Sequence, residues 1–304
     1  MNNNQNKPVI IEIALNGSTQ KSRNPNVPIS VNELTTDALV CLRAGAQIIH
    51  QHDDLGRPGE LGGATPQVMA AKAAEFYSAV YAEVDDALLY PTSNWPGDIE
   101  ARWSHQLILA EANLLRMAFV DPGSVNLGGF AADGRPKLES SMVYSHSVAD
   151  IEWMLDHCRE RNLAPNMAIF EPGFLRAALA HEAAGSLPIG AFIKLYFSDR
   201  LTFGFPPKKS ALDAYLELLS GSSLPWAVAV LGGDVIESGM ARWALEAGGH
   251  LRIGLEDHAG KNKPSNLELL SAAIDLCSQV GRPIATRPEA AEILGLSAKG
   301  GRTL

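Results

Sequence analysis

Eight short, mainly apolar runs without in-and-out alternation recur along the chain, nearly all separated by stretches of helical periodicity, and this pattern limits the fold more than any other feature. The runs cover residues 8–15, the segment from Gly45 into His50 and His52, then 87–91, 115–120, 164–171, 189–197, 226–232 and 250–256. Strands that lack in-and-out alternation are buried on both faces, the condition of a parallel sheet covered by helices. Helices are expected at 30–42, 67–81, 99–114, 147–161, 174–184, 210–219 and 234–247. The first opens with a capping box, Ser30 as N-cap and Glu33 three residues on. Residues 124–128 read as an extended segment beyond the fourth strand. Eight βα units within 304 residues predict a closed (β/α)8 TIM barrel occupying 1–304 as a single domain, with C-terminal helices at 264–280 and 287–294 packed on it. An open doubly wound sheet is the alternative. Against it, the first strand runs into Asn16-Gly17-Ser18 with no Gly-x-Gly-x-x-Gly turn.

A hydrophobic content of 46% supplies the large core such a barrel needs. Net charge is -9, from 25 basic and 34 acidic residues, which argues against nucleic acid or an anionic membrane as principal partner. The first seven residues lack the apolar core of a signal peptide, and no run reaches membrane-spanning length, so a cytoplasmic, soluble protein is expected. Cys41, Cys158 and Cys277 are odd in number, widely spaced and helix-borne, which points to buried structural thiols.

The second strand ends in His50-Gln51-His52. Successive strand side chains point to opposite faces, so the two imidazoles share one. Neutral ring nitrogens suit zinc, whose tetrahedral geometry tolerates neighbouring ligands. Alone, His-x-His fits equally a packed histidine and a solvated one with no metal. The eighth strand, however, ends in Glu256-Asp257. In a barrel, strands two and eight flank the first, and all these residues then sit at carboxyl ends, where this fold carries its active sites. His50, His52 and Glu256 would leave Zn2+ an open position for water or substrate. A solvated loop or a helix N-terminus is the structural alternative for the two carboxylates.

The residues that carry a family likeness are Ala14-Leu15-Asn16-Gly17, Ala44-Gly45-Ala46 leading into His50-Gln51-His52, and Gly123-Ser124-Val125-Asn126-Leu127-Gly128. Residues 249–257, 281–286 and 293–296 continue it. With them the chain resembles the β-keto acid cleavage enzymes over nearly its whole length, most specifically through Arg252-Ile253-Gly254-Leu255-Glu256-Asp257 combined with His-x-His. The resemblance implies a zinc-dependent homo-oligomer, dimer or tetramer, that reacts a β-keto acid with acetyl-CoA to give acetoacetate and a new CoA thioester. By that likeness His50, His52 and Glu256 are the zinc ligands, Arg252 and Asp257 the catalytic acid/base pair, and Thr92 a hydroxyl for binding or transient acyl acceptance. Asn16, Ser93, Trp95, Phe119 and Asn126 are assigned to the substrate. Strand termination is the plain alternative for Thr92 and Ser93. The chemistry asks for these residue types. Breaking a carbon–carbon bond beside a ketone requires an enolate, which a metal stabilises, and a base for the proton between two carbonyls, which Asp257 supplies with Arg252 orienting it.

Departures from the family pattern bear on the substrate. Ser18 and Thr19 stand where the member acting on an amino-substituted keto acid has a carboxylate, Ala168 where it has another, and Phe119 where it has threonine. A substrate ammonium would lack its partners. A different side chain is expected, in an apolar pocket or a quaternary-ammonium cage drawn from Tyr90, Trp95 and Phe119. Lys208 and Lys209, after the sixth strand, are candidates for the CoA phosphates. An amidohydrolase-type site needs further histidines, which the strands ending at Phe170-Glu171 and Phe197-Ser198 do not provide. The same residues are compatible with a metal-dependent lyase, aldolase or hydrolase on a small carboxylated substrate, and with a barrel that has no catalytic role.

Overall fold

A computed structural model describes residues 6–53, 64–94, 97–137 and 142–296. In chain order the strands are β1 (Ile11–Ala14), β2 (Ile48–Gln51), β3 (Leu88–Pro91), β4 (Met117–Phe119), β5 (Val125–Leu127), β6 (Met142–Tyr144), β7 (Ala164–Ile169), β8 (Phe192–Phe197), β9 (Trp226–Val230) and β10 (His250–Ile253). The helices are α1 (Val31–Ala44), α2 (Pro66–Tyr81), α3 (Ile99–Glu111), α4 (Val148–Arg161), α5 (Pro172–Ala183), α6 (Lys209–Leu218), α7 (Met240–Ala247), α8 (Asn266–Val280) and α9 (Arg287–Ile293). Eight strands pair in parallel in the order β3-β2-β1-β10-β9-β8-β7-β4. The terminal strands β3 and β4 lie side by side without a ladder between them among the described residues, so the ring is nearly closed. This is the (β/α)8 barrel predicted from the strand count, with β1 between β2 and β10.

Local signals explain most boundaries. Ser30 accepts from the Glu33 N–H while the Glu33 carboxylate takes the Ser30 N–H, and Gly45, at φ 117, ends α1. Three expectations change. The extended segment at 124–128 is β5, and its antiparallel partner β6 was not expected. The helix expected from 234 begins at Met240, because the Asp234 carboxylate accepts from the N–H groups of Ile236 and Glu237 and Gly239 sits at φ 82, which hold those residues in turns. The last barrel strand stops at Ile253 rather than 256, because Gly254 turns away at φ 136. All three cysteines are buried and free.

Register decides what fills the barrel. Glu12 pairs with Arg252, Ala14 with His50, and His50 with Tyr90. Partners in a parallel ladder point the same way, so these side chains converge inside, while Ile11, Ile13, Ile49 and Leu89 alternate outward under the helices. The strands look apolar throughout, yet the inner face holds a polar layer.

Candidate active site

The metal-type residues are held by the ends of three adjacent strands. Asn16, just past β1, clamps the backbone of His52: its Nδ2 donates to His52 O at 2.7 Å and its Oδ1 accepts from His52 N at 2.9 Å. This keeps His52 in extended register with His50 beyond the last residue of β2. The Glu256 N–H donates to Ala14 O at 3.2 Å, and Thr19 Oγ1 to Leu255 O at 2.8 Å, fastening the turn after β10 to the start of the first loop. Two glycines permit the approach. A Cβ on Gly254 would lie 2.1 Å from Ala14 O, and one on Gly17, at φ 51, would lie 2.3 Å from Glu256 Cγ. Gly17→Ala must therefore displace the Glu256 side chain and adopt left-handed strain of about 1 kcal/mol. We expect a slightly lower melting temperature and a metal content well below one per chain, measured by calorimetry and elemental analysis; unchanged metal would show that Glu256 is not a ligand.

His50 Nε2 lies 3.2 Å from Glu256 Oε2, and His52 Nε2 lies 3.5 Å from Glu256 Oε1. One ligand atom from each of the three can be chosen so that all lie within 4.8 Å of one another. The edges of a tetrahedron around zinc with bonds of about 2.0–2.1 Å are roughly 3.3 Å, which the two imidazole–carboxylate distances approach. His50 Nδ1 faces Tyr90 O at 3.2 Å, which places the ring proton there and leaves Nε2 as a lone pair toward the carboxylate. Burial pushes His50 down to about 4, against the opposing pull of Glu256, so it is neutral at pH 7. A lone pair facing Glu256 Oε2, itself buried without a hydrogen-bond donor, is repulsive until a cation lies between them. Glu12, Glu256 and Asp257 also bring three carboxylates against the two cations Lys194 and Arg252. The residues fit a divalent ion.

Arg252, fully buried, joins this triad to the next carboxylate. Its Nη2 is 2.9 Å from Glu256 Oε1, and its Nε and Nη2 donate to Asp257 Oδ2 and Oδ1 at 2.8 and 3.2 Å. Burial would raise the pKa of Glu256, but the Arg252 guanidinium outweighs it and holds the group well below the carboxylate range. At Asp257 burial, reinforced by neighbouring Glu256, outweighs Arg252 and the pKa is raised. Of two adjacent carboxylates, one is thus kept as a permanent anion and the other made more basic. Beneath them, Arg252 Nη1 donates to Glu12 Oε1 at 2.8 Å, the Tyr90 hydroxyl donates to the same oxygen at 2.5 Å, Lys194 Nζ donates to the Tyr90 oxygen at 2.8 Å, and Asn166 Nδ2 donates to Glu12 Oε2 at 3.0 Å. Against its burial, Lys194 and Arg252 hold Glu12 down at about 2.

The structure brings His50, His52, Glu256, Arg252 and Asp257 together and distributes the other assigned residues differently. The Asn16 amide is engaged by the His52 backbone, so its contact is to a ligand residue. Thr92 is half-buried at the end of β3, its carbonyl accepting from His105 Nε2 at 2.8 Å; Ser93 Oγ donates to Asn94 O at 3.1 Å. Phe119 is buried with its ring 6.4 Å from Trp103, Asn126 is exposed on β5, and Trp95 lies outside the described residues. Tyr90 cannot be a cage wall, because it is 1% exposed, stacked on His50 at 4.5 Å, with Lys194 Nζ 4.9 Å from its ring centre. Lys208 and Lys209 are exposed at the start of α6, and Lys209 pairs with Asp213 at 2.5 Å. Sequence reasoning missed Glu12, Lys194 and Asn166, although a charge inside the apolar runs IEIA and FIKLYF is a usable signal. It also missed Asp121, a buried carboxylate beside Ala168 that accepts from the Tyr144 hydroxyl at 2.6 Å and from Ala168 N at 3.1 Å.

The chain is 28% identical over 300 residues to the 3-oxoadipate:acetyl-CoA acetyltransferase of Cupriavidus necator, covering 95% of each. It is 27% identical to the 3-keto-5-aminohexanoate cleavage enzyme of Fusobacterium nucleatum, covering 95% of this chain and 98% of that one. Among solved structures, the ternary complex of ObcA with a C4-CoA adduct and oxalate superposes with a TM-score of 0.62 at 14% identity, over 91% of this chain and 68% of that one, a likeness of fold. The sequence profile of the beta-keto acid cleavage enzymes matches residues 8–296, and the chain belongs to that family.

Proposed function

We propose that this enzyme cleaves a β-keto acid with acetyl-CoA, giving acetoacetate and a new acyl-CoA, and that the ion held by His50, His52 and Glu256 is zinc. The observation that carries the reading is the contact of the His50/His52/Glu256 cluster with the Arg252–Asp257 pair. Bound there, a divalent ion supplies electrostatic stabilisation for negative charge developing on the keto oxygen. Asp257, raised in basicity and oriented by two Arg252 hydrogen bonds, takes the proton between carboxylate and ketone. The resulting carbon nucleophile attacks the acetyl thioester and expels CoA thiolate. The thiolate then adds to the distal ketone carbon, the carbon–carbon bond breaks, and Asp257 returns its proton to acetoacetate. Thr92, at the rim, is assigned to the substrate carboxylate or the acyl group.

The substrate is a keto acid without a free ammonium, since Thr19 and Ala168 carry no carboxylate and Asp121 is already engaged by Tyr144 and Ala168. The test is a panel read out as acetoacetate: keto acids with apolar, dicarboxylic, amino and quaternary ammonium side chains, each with acetyl-CoA. No acetoacetate from any member rejects the reaction. Lys208 and Lys209 are offered as contacts to the CoA phosphates. Exposed charges contribute little, so replacing both with alanine should raise the KM for acetyl-CoA about two- to fourfold, and an unchanged KM rejects them.

A further inference from the structure

The rim carries a positively charged feature that the chemistry above does not use. Arg23, in the loop after β1, directs Nη2 to His258 O at 3.4 Å. The stem of Arg200, in the loop after β8, covers Gly232, where an added Cβ would lie 3.6 Å from Arg200 Cβ. These anchor points form one joint: Gly232 N donates to Asp257 O at 2.8 Å, Ala259 N donates to Gly233 O at 2.7 Å, and Gly233 bridges His258. Both side chains are thus anchored on the segment that follows Asp257 or pairs with it, Arg23 through its guanidinium and Arg200 through its stem, and Arg200 adds to burial in lowering the pKa of Arg23. Among the described residues neither forms an ion pair with a carboxylate, not even with Asp199, next in sequence to Arg200. Two arginines anchored on one segment with no ion-paired carboxylate among the described residues, on a chain of net charge -9, make a place for an anion. Alongside, an antiparallel bridge between Gly129 and Leu201, with Thr202 N donating to Gly128 O at 2.9 Å, ties the segment carrying Phe130 to the Arg200 loop. Phe130 is 42% exposed. Two arginines beside an open aromatic face suit phosphates and a base.

We propose that Arg23 and Arg200 hold the nucleotide phosphates of the CoA thioester, with its adenine against Phe130; this rests on the CoA-dependent reading above. A small keto acid must reach the buried triad, whereas the nucleotide end of the thioester can stay outside, at the exposed rim where these residues stand. The test titrates wild type and the double variant Arg23→Ala/Arg200→Ala with CoA and with adenosine 3′,5′-bisphosphate by calorimetry, then measures turnover with acetyl-CoA and with acetyl-pantetheine. Both side chains are exposed, so melting should be unchanged. The variant should bind CoA and the bisphosphate about tenfold or more weakly and show an equally raised KM for acetyl-CoA. Its kcat and keto-acid KM should stay unaltered, and acetyl-pantetheine should be used equally by both proteins. Phe130→Ala should weaken CoA binding and leave acetyl-pantetheine untouched. Equal CoA binding by wild type and double variant overturns this inference alone, as does a raised keto-acid KM, which would give the arginines to a substrate carboxylate. A wild type that binds no CoA overturns the CoA-dependent reading as well.

Discussion

His50→Ala and His52→Ala should each yield a folded barrel with little metal and no measurable turnover. Each imidazole stands at the carboxyl mouth, above the polar layer, and neither is part of the apolar packing under the helices. Truncation there should cost on the order of 1–3 kcal/mol of stability, the range of an ordinary substitution. The effect on metal is far larger, because two protein ligands in place of three lose both a bond and the preorganised geometry. His50 has the further role of filling the space over Tyr90, on which it stacks at 4.5 Å, so His50→Ala should melt lower than His52→Ala. Circular dichroism, elemental analysis and acetoacetate formation check these statements together. A chelated wild type that keeps its activity, or a variant with full metal and no activity, would sink the assignment.

The neighbouring carboxylates should separate under substitution. Asp257→Asn keeps the shape that Arg252 grips but cannot accept a proton, so the variant should retain its metal and lose roughly a hundredfold to ten-thousandfold in kcat. Glu256→Gln should lose metal first, since a neutral amide is a poor zinc ligand. It also takes away a carboxylate 2.9 Å from Arg252, leaving that buried guanidinium with Asp257 and Glu12. The opposite directions of the two pKa shifts, Glu256 down and Asp257 up, point the same way. Metal content and kcat of both variants decide it: equal metal loss in the two, or near-normal kcat in Asp257→Asn, would mean the roles are exchanged or shared.

Much of the site was legible because it is written in local spacing. His50 and His52 are two apart on a strand, which alone puts them on one face, and Glu256-Asp257 follow a strand that must neighbour the first once eight strands close. Capping at Ser30 and Glu33 and the turn at Gly45 were readable for the same reason, being set within four residues of chain. The helix expected from 234 was misplaced because apolar periodicity outweighed the Asp234 turn and Gly239. The unneutralised arginines at 23 and 200 had no signature, since 177 positions of chain separate them.

From the sequence alone come the barrel, the order of its strands in the chain, the triad of His50, His52 and Glu256, and the family. Periodicity, strand count and short motifs are local properties that survive without knowing what lies opposite. Only the tertiary structure decides what stands behind the triad. Parallel register sets Glu12 beside Arg252, and ring closure brings Lys194 and Asn166 across to the same carboxylate. Which inward residues of distant strands share a layer is fixed by the stagger of the closed ring. The apolar runs around Glu12 and Lys194 carry no record of that stagger, so the charge network that holds Arg252 on Asp257 appears only once the barrel is built.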